Sequence, residues 1–311
     1  MARGKATGAA GKAERDGKPE KADKAQRGIQ SVEVGGRLLA ALAAARVPMP
    51  LAALAEAAQL APAQAHAYLV SLTRLGLLKR DHVSGRYEPG PLSLQLGMLR
   101  LEQDPAYRAA LPRVDALARS SGFSVAISIA GPQGPTIVRY VPASAPLHVN
   151  LHVGTVMALA ATATGRVYCA FRPPAQWQPL WRAQQPDATE AQLAAQLQDF
   201  GGTLQVIRER GIERSIDTPS PAVSSLSVPV LDAAGALRLV LTLVGSTGAI
   251  DVDWNGTAAR ALMAAAADIA ATLRAQSAEG AEGAEGAEGA EGAEGAEGAE
   301  GAEGAEEENQ A

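Results

Sequence analysis

Apolar residues return at helical spacing as soon as the chain becomes regular. In GIQSVEVGGRLLAALAAARVPMP, starting near Ile29, Val34, Leu38, Leu39 and Leu42 recur at helical spacing. Ser31 is the expected N-cap, and Pro48 and Pro50 forbid continuation. A short second helix, LAALAEAAQ, carries Leu51, Leu54 and Ala58 on one side. Gln59-Leu60-Ala61 makes the turn, and Pro62 suits the first position of a third helix. That helix divides into two stripes. Ala65, Leu69 and Leu72 face inward with Tyr68 and Leu75 flanking, while Gln64, Ala67, Ser71 and Arg74 face outward. Gly76 ends it, as a glycine with positive φ does. A short hairpin follows: Leu77 to Arg80, a loop from Asp81 to Gly85, and a return through Arg86, Tyr87 and Glu88.

From Leu92 to Gln103 the pattern LSLQLGMLRLEQ predicts a linker helix with Leu92, Leu96 and Leu99 on one side and Met98 adjacent, a face suited to a dimer contact. A second domain begins at Asp104. Pro105 opens a helix through Ala118, within which Pro112 is expected to kink or break the helix. Alternation then predicts strands over Phe123–Ala130, Thr136–Val141, Leu147–Val153, Ser224–Leu231 and Leu237–Val244, the last two joined by an Asp-Ala-Ala-Gly loop at 232–235. Helices are expected near Thr162–Phe171, Pro174–Arg182, Thr189–Arg210 and Trp254–Gln276. Strands and helices mixed in this order predict an α+β fold.

Composition changes this picture at the two ends. The net charge of −5 argues against a nucleic-acid partner, yet Glu279 to Glu308 holds 12 acids and no base. Without them the chain has 28 bases against 21 acids, so the remainder is basic. Nine Ala-Glu-Gly repeats fill 278–304, and glycine at that frequency predicts disorder over 278–311. Residues 1–27, with eight bases and four acids, read as a disordered basic arm. The expected division is therefore 1–27, a DNA-binding domain over 28–91, the linker helix over 92–103, a second domain over 104–277, and the tail. No apolar run approaches a membrane span, and the N-terminus has no secretory core, which predicts a cytoplasmic protein.

Three helices and a basic hairpin predict a winged helix-turn-helix, whose third helix enters the major groove of DNA. Gln64 suits adenine; His66 and Ser71 suit phosphate or base; Arg74, Lys79, Arg80 and Arg86 suit phosphates. The alternative is an adaptor whose winged domain binds protein. His148 and His152 lie on an expected strand, about 13 Å apart, too far to share a metal. Ser224, Ser225 and Ser227 lack the Gly-x-Ser-x-Gly frame of a nucleophile, and no phosphate-cradling glycine pattern occurs, so neither enzyme nor cofactor is predicted. The single Cys169 sits in an apolar helix and is read as buried and inert.

GIQSVE at 28–33, LAPAQAHAYLVSLTRLGLL and GRYEPGPLSLQLG at 85–97 together resemble the isocitrate-lyase-regulator (IclR) family of bacterial transcription factors. GTVMALAATATGR at 154–166 and GIERSIDTPSPAVSSLSVPVLDAAG at 211–235 extend the resemblance over about 28–276. The resemblance implies an N-terminal winged helix-turn-helix, a linker helix and a GAF-like α+β effector-binding domain, in a homodimer or dimer of dimers that binds operator DNA and a small organic or aromatic acid. It implies an effector site between the sheet and the segments holding Thr155, Met157, Thr164, Gly165 and Ser215, with pocket positions at Ser225, Ser227 and Thr242. The sequence departs from the family at the recognition helix, where Ala61-Pro62-Ala63-Gln64-Ala65-His66-Ala67 replaces Pro-Lys-Ser-Thr-Val-His-Arg. It also departs at Thr218, where an acid is usual and Asp217 lies adjacent, and at Ser215, where some members place an acid that binds ligand.

Overall fold

The computed structural model describes residues 28–144, 147 and 149–294, which form two compact units dividing between Leu94 and Gln95. The basic arm, His148 and the end of the repeat tail lie outside the described residues.

In the first unit α1 (Gln30–Ala45), α2 (Leu51–Ala57) and α3 (Pro62–Arg74) precede a hairpin of β1 (Leu78–Arg80) and β2 (Tyr87–Pro89). Leu38, Leu42, Leu54, Leu69, Leu72, Leu78 and Tyr87 form its core. Each fully buried leucine contributes about 1.5–3 kcal/mol. Ser31 does not cap α1: Ile29 takes that position with its carbonyl accepting from Val32 and Glu33, which places Ser31 inside the first turn. Gly76 adopts φ +76°, and a Cβ on Gly90 would overlap its backbone. The carbonyl of Gly76 accepts from the N–H of Leu92 at 2.9 Å, so the two glycines let the chain cross itself between wing and next helix.

That helix, α4 (Pro91–Glu102), buries none of its residues. Leu94, Leu96, Met98 and Leu99 are 66, 50, 52 and 44% exposed.

The second unit opens on α5 (Pro105–Ser121). Asp104 caps it, accepting from Ala106 N at 2.9 Å and Tyr107 N at 3.2 Å. Pro112 does not break α5. The proline forfeits one bond, but Ala109, Ala110, Val114 and Leu117 are buried on either side and hold the helix against the sheet.

The sheet is antiparallel, in the order β4-β3-β7-β6-β5, with β3 (Ser124–Gly131), β4 (Gly134–Val141), β5 (Glu213–Ile216), β6 (Val223–Leu231) and β7 (Leu237–Ser246). Register places Val125, Leu226 and Leu243 in one row and Ile127, Val228 and Leu241 in the next, all packed against α5 and α9 (Thr257–Glu294). The opposite face carries Ser225, Ser227, Val240, Thr242 and Val244 and is partly covered by α6 (Ala163–Ala170), α7 (Pro174–Ala183) and α8 (Glu190–Arg210).

Three further expectations are corrected. Leu147–Val153 contains no strand among its described residues. Gly154 to Met157 pair with the β4 edge instead, through Gly154 N to Ile137 O at 2.7 Å and Met157 N to Pro135 O at 2.8 Å. The preceding backbone turns locally, with Thr155 N bonded to His152 O. β5 was not anticipated: its four residues, Glu-Arg-Ser-Ile, are mostly polar, yet Glu213 and Ser215 are buried. α9 runs through Glu294, past the expected end at Gln276 and into the repeat expected to be disordered. A helix already anchored by Leu262, Ile269 and Leu273 lengthens without a new nucleus, and alanine and glutamate favour propagation against the glycines.

Candidate functional site

Gln64, His66, Ser71 and Arg74 are exposed on α3, opposite buried Ala65, Leu69 and Leu72. Ser71 Oγ donates to Ala67 O within its own helix. The wing cations, also exposed, are more occupied than the sequence suggested. Lys79 pairs with Glu88 at 2.9 Å, a hydrogen bond that holds its ammonium above the ordinary pKa. Arg86 donates to Pro48 O at 3.0 Å, and Arg80 donates to Gly85 O while stacking over Tyr87. Arg74 makes no ion pair among the described residues. Asp81 stiffens the wing loop by accepting from Ser84 and Val83 N–H groups; the Ser84 bond leads in holding its carboxyl below the usual range.

In the second unit a cavity of about 60 Å³ is lined by side chains including Val149, Leu151, Met157, Thr162, Thr164, Thr218, Ser220, Ser225 and Thr242. Of the expected effector residues, Met157, Thr164, Ser225 and Thr242 therefore converge. Thr164 Oγ1 and Thr242 Oγ1 lie 2.8 Å apart, and Ser227 Oγ is 2.9 Å from Thr242. Ser227 is 0% exposed and belongs to this hydroxyl cluster without lining the cavity.

The other three expected residues support the wall. Thr155 is directed at His152, its Oγ1 lying 3.3 Å from Nδ1. Gly165 permits a close crossing, because a Cβ there would overlap the backbone of Ala158 and Leu159. Ser215 Oγ donates to Thr218 O and so fixes the strip that lines the cavity. Thr162 was missed; it caps α6, accepting from Gly165 N at 2.9 Å and donating to Ala158 O at 2.7 Å. A threonine just before a small-residue helix was the available signal. Val223 and Val244 were also missed, although they continue the alternation of Ser225 and Thr242.

Two ties position this wall. Arg166 on α6 donates to Arg214 O at 2.7 Å and Ala160 O at 2.9 Å, with Glu213 at 3.4 Å. Thr247 donates to Asp217 Oδ1 at 2.7 Å, so its oxygen accepts from Ser224, also at 2.7 Å. Cys169 is fully buried, and desolvation pushes its thiol pKa up. A larger, open groove of about 400 Å³ lies between α9 and the β6–β7 hairpin. It is lined by residues such as Met263, Ala266, Ala270 and Arg274, without the converging hydroxyls of the smaller cavity.

Among the described residues no group of three His, Cys, Asp or Glu side chains could hold a metal, and no helix is long and apolar enough to cross a membrane.

The chain matches the IclR helix-turn-helix domain over residues 31–82 and the bacterial transcriptional regulator IclR C-terminal domain over 100–271. It is 33% identical to the glycerol operon regulatory protein of Streptomyces griseus, covering 79% of this chain and 96% of that one. It is 31% identical to the Streptomyces coelicolor protein of the same name, covering 72% and 87%. An IclR homologue from Microbacterium hydrocarbonoxydans, crystallised with 4-hydroxybenzoate, superposes with a TM-score of 0.60 at 17% identity, over 79% of this chain and 99% of that one. These relatives regulate transcription and are not enzymes. The chain belongs to the IclR family of DNA-binding transcriptional regulators.

Proposed function

We propose that this protein is an operon regulator acting in the cytoplasm, whose DNA affinity changes when a small metabolite enters the cavity beside Thr164 and Thr242. The cavity, with hydroxyls converging from α6, β6 and β7, is the observation that carries this reading. Two copies joined through α4 would present two winged units to a pseudo-palindromic operator. The exposed Leu94, Leu96, Met98 and Leu99 support that assembly, since an isolated helix leaves this apolar surface in water. For the metabolite to switch anything, it must bind one DNA-binding state more tightly than the other. The family resemblance suggests an organic acid as its class.

DNA binding in this scheme rests on Gln64, His66, Ser71 and Arg74, with Lys79, Arg80 and Arg86 meeting phosphates once their internal partners are exchanged. Those partners also favour a second reading, in which the winged unit binds a protein: Glu88 and the Pro48 carbonyl already occupy two wing cations. Titration of the upstream region of the protein's own operon, across salt concentrations, separates the two. Steep salt dependence and preference over random duplex are expected for the regulator, and their absence for the adaptor.

A further inference from the structure

Resting on the reading above of α3 as the helix that meets DNA, we infer that this helix selects A·T pairs, with the side-chain methyls of Ala63 and Ala67 meeting the C5-methyl groups of thymine. Position comes first. Ala65, Leu69 and Leu72 are the buried residues of α3. At about 100° per residue, the direction opposite their mean is taken by Ala63, Ala67 and Arg74. Ala63 and Ala67 are exposed, and half-buried Val70 borders them. Gln64 and Ser71 flank this line on one side and His66 on the other. The centre of the outward face is therefore apolar over the first two turns. Those are the turns that reach base edges when such a helix enters the major groove.

Chemistry comes second. Guanine is read most often by Arg or Lys, and residues 62–73 contain neither. Arg74 lies in the last turn. Ser71 spends its hydroxyl proton on Ala67 O within the helix. A methyl group set against the edge of a G·C pair leaves that edge's donors and acceptors desolvated without partners. Thymine alone among the bases presents a methyl in the major groove. Burying it against an alanine removes apolar surface from water on both sides.

Spacing comes third. Ala63 and Ala67 stand about 6 Å apart along the helix, close to two base-pair steps of about 3.4 Å. Two thymines at that separation meet both methyls, and the side-chain amide of Gln64 suits an adenine beside them.

Selection of duplexes from a random pool by the full chain tests this directly. The enriched half-site should carry an adenine beside two thymines about two steps apart. Replacing either thymine by deoxyuridine removes only its methyl. That should weaken binding about fourfold for each methyl lost, with the salt slope unchanged. The same replacement elsewhere in the duplex should have no effect. Ala67→Gly removes the partner methyl, so the penalty at one thymine should vanish while that at the other stays; Ala63→Gly should show the reverse. Should a glycine variant fold poorly, the deoxyuridine series on the unaltered chain still decides. An enriched site centred on G·C pairs, or equal affinity for thymine and deoxyuridine duplexes, overturns the inference and leaves DNA binding intact. Selection that enriches no sequence overturns the base-reading role of α3, and this inference with it.

Discussion

Thr164 on α6 and Thr242 on β7, 78 residues apart in sequence, share a 2.8 Å hydrogen bond, each with only 2% of its surface exposed. The bond joins the cavity's helical wall to its sheet floor. A net buried hydrogen bond contributes about 1 kcal/mol. Thr242→Val keeps the volume and leaves Thr164 and Ser227 to each other at 3.4 Å. Urea denaturation should show a loss of about 1 kcal/mol, while affinity for operator in the absence of effector stays unchanged.

Arg74 and the wing cations should separate in DNA binding. Arg74 makes no ion pair among the described residues, so Arg74→Ala should weaken operator binding and lower the salt slope by about one unit for each phosphate it no longer neutralises. Lys79→Ala and Arg86→Ala should have smaller effects, since those cations must first leave Glu88 and Pro48. Anisotropy titrations at several salt concentrations would measure all three; equal effects would contradict this ranking.

How much of this was legible beforehand depended on the range of the interactions. The two stripes of α3 followed from local periodicity, and Leu69 and Arg74 sit where the pattern put them. Cys169 was legible as a core residue for the same reason. Leu147–Val153 alternates like a strand, but the pairing partner at the β4 edge is taken by Gly154 to Met157, a competition that local pattern does not contain. β5 was hidden for the opposite reason: Glu213 is buried against Arg166, 47 residues away in sequence, and the polar Ser215 turns inward where its hydroxyl meets the nearby Thr218 carbonyl. At the cavity, Ser225 and Thr242 were found by position. The support roles of Thr155, Gly165 and Ser215 depend on which way each group is turned.

The apolar residues of α4 should be essential to self-association. Leu96→Asp combined with Leu99→Asp places two charges on a surface already 50 and 44% exposed, so the monomer fold should persist. Sedimentation velocity should show loss of the dimer, with cavity ligand binding retained. Persisting dimers would place the interface elsewhere.

Acid stability should depend on Asp104. Burial disfavours its charge, but the Arg100 hydrogen bond, the Tyr107 N–H and nearby Arg238 together outweigh that and hold its carboxyl below 3.8. A carboxyl depressed in the folded state adds stability that is present above the unfolded value and lost as pH falls through the folded one. Below about pH 4, the melting temperature of the wild type should therefore fall more steeply than that of Asp104→Asn, which keeps the cap acceptor without the charge. Identical acid limbs in thermal scans would count against this role.

The central claim is tested most directly by fluorescence anisotropy of the full chain on the upstream region of its own operon, against random duplex, from low to high salt and with a panel of small organic acids. The account predicts preference for the upstream region, affinity that falls steeply with salt, and an acid-dependent change in affinity that Thr242→Val removes. Equal affinity for both duplexes with a shallow salt dependence would contradict it.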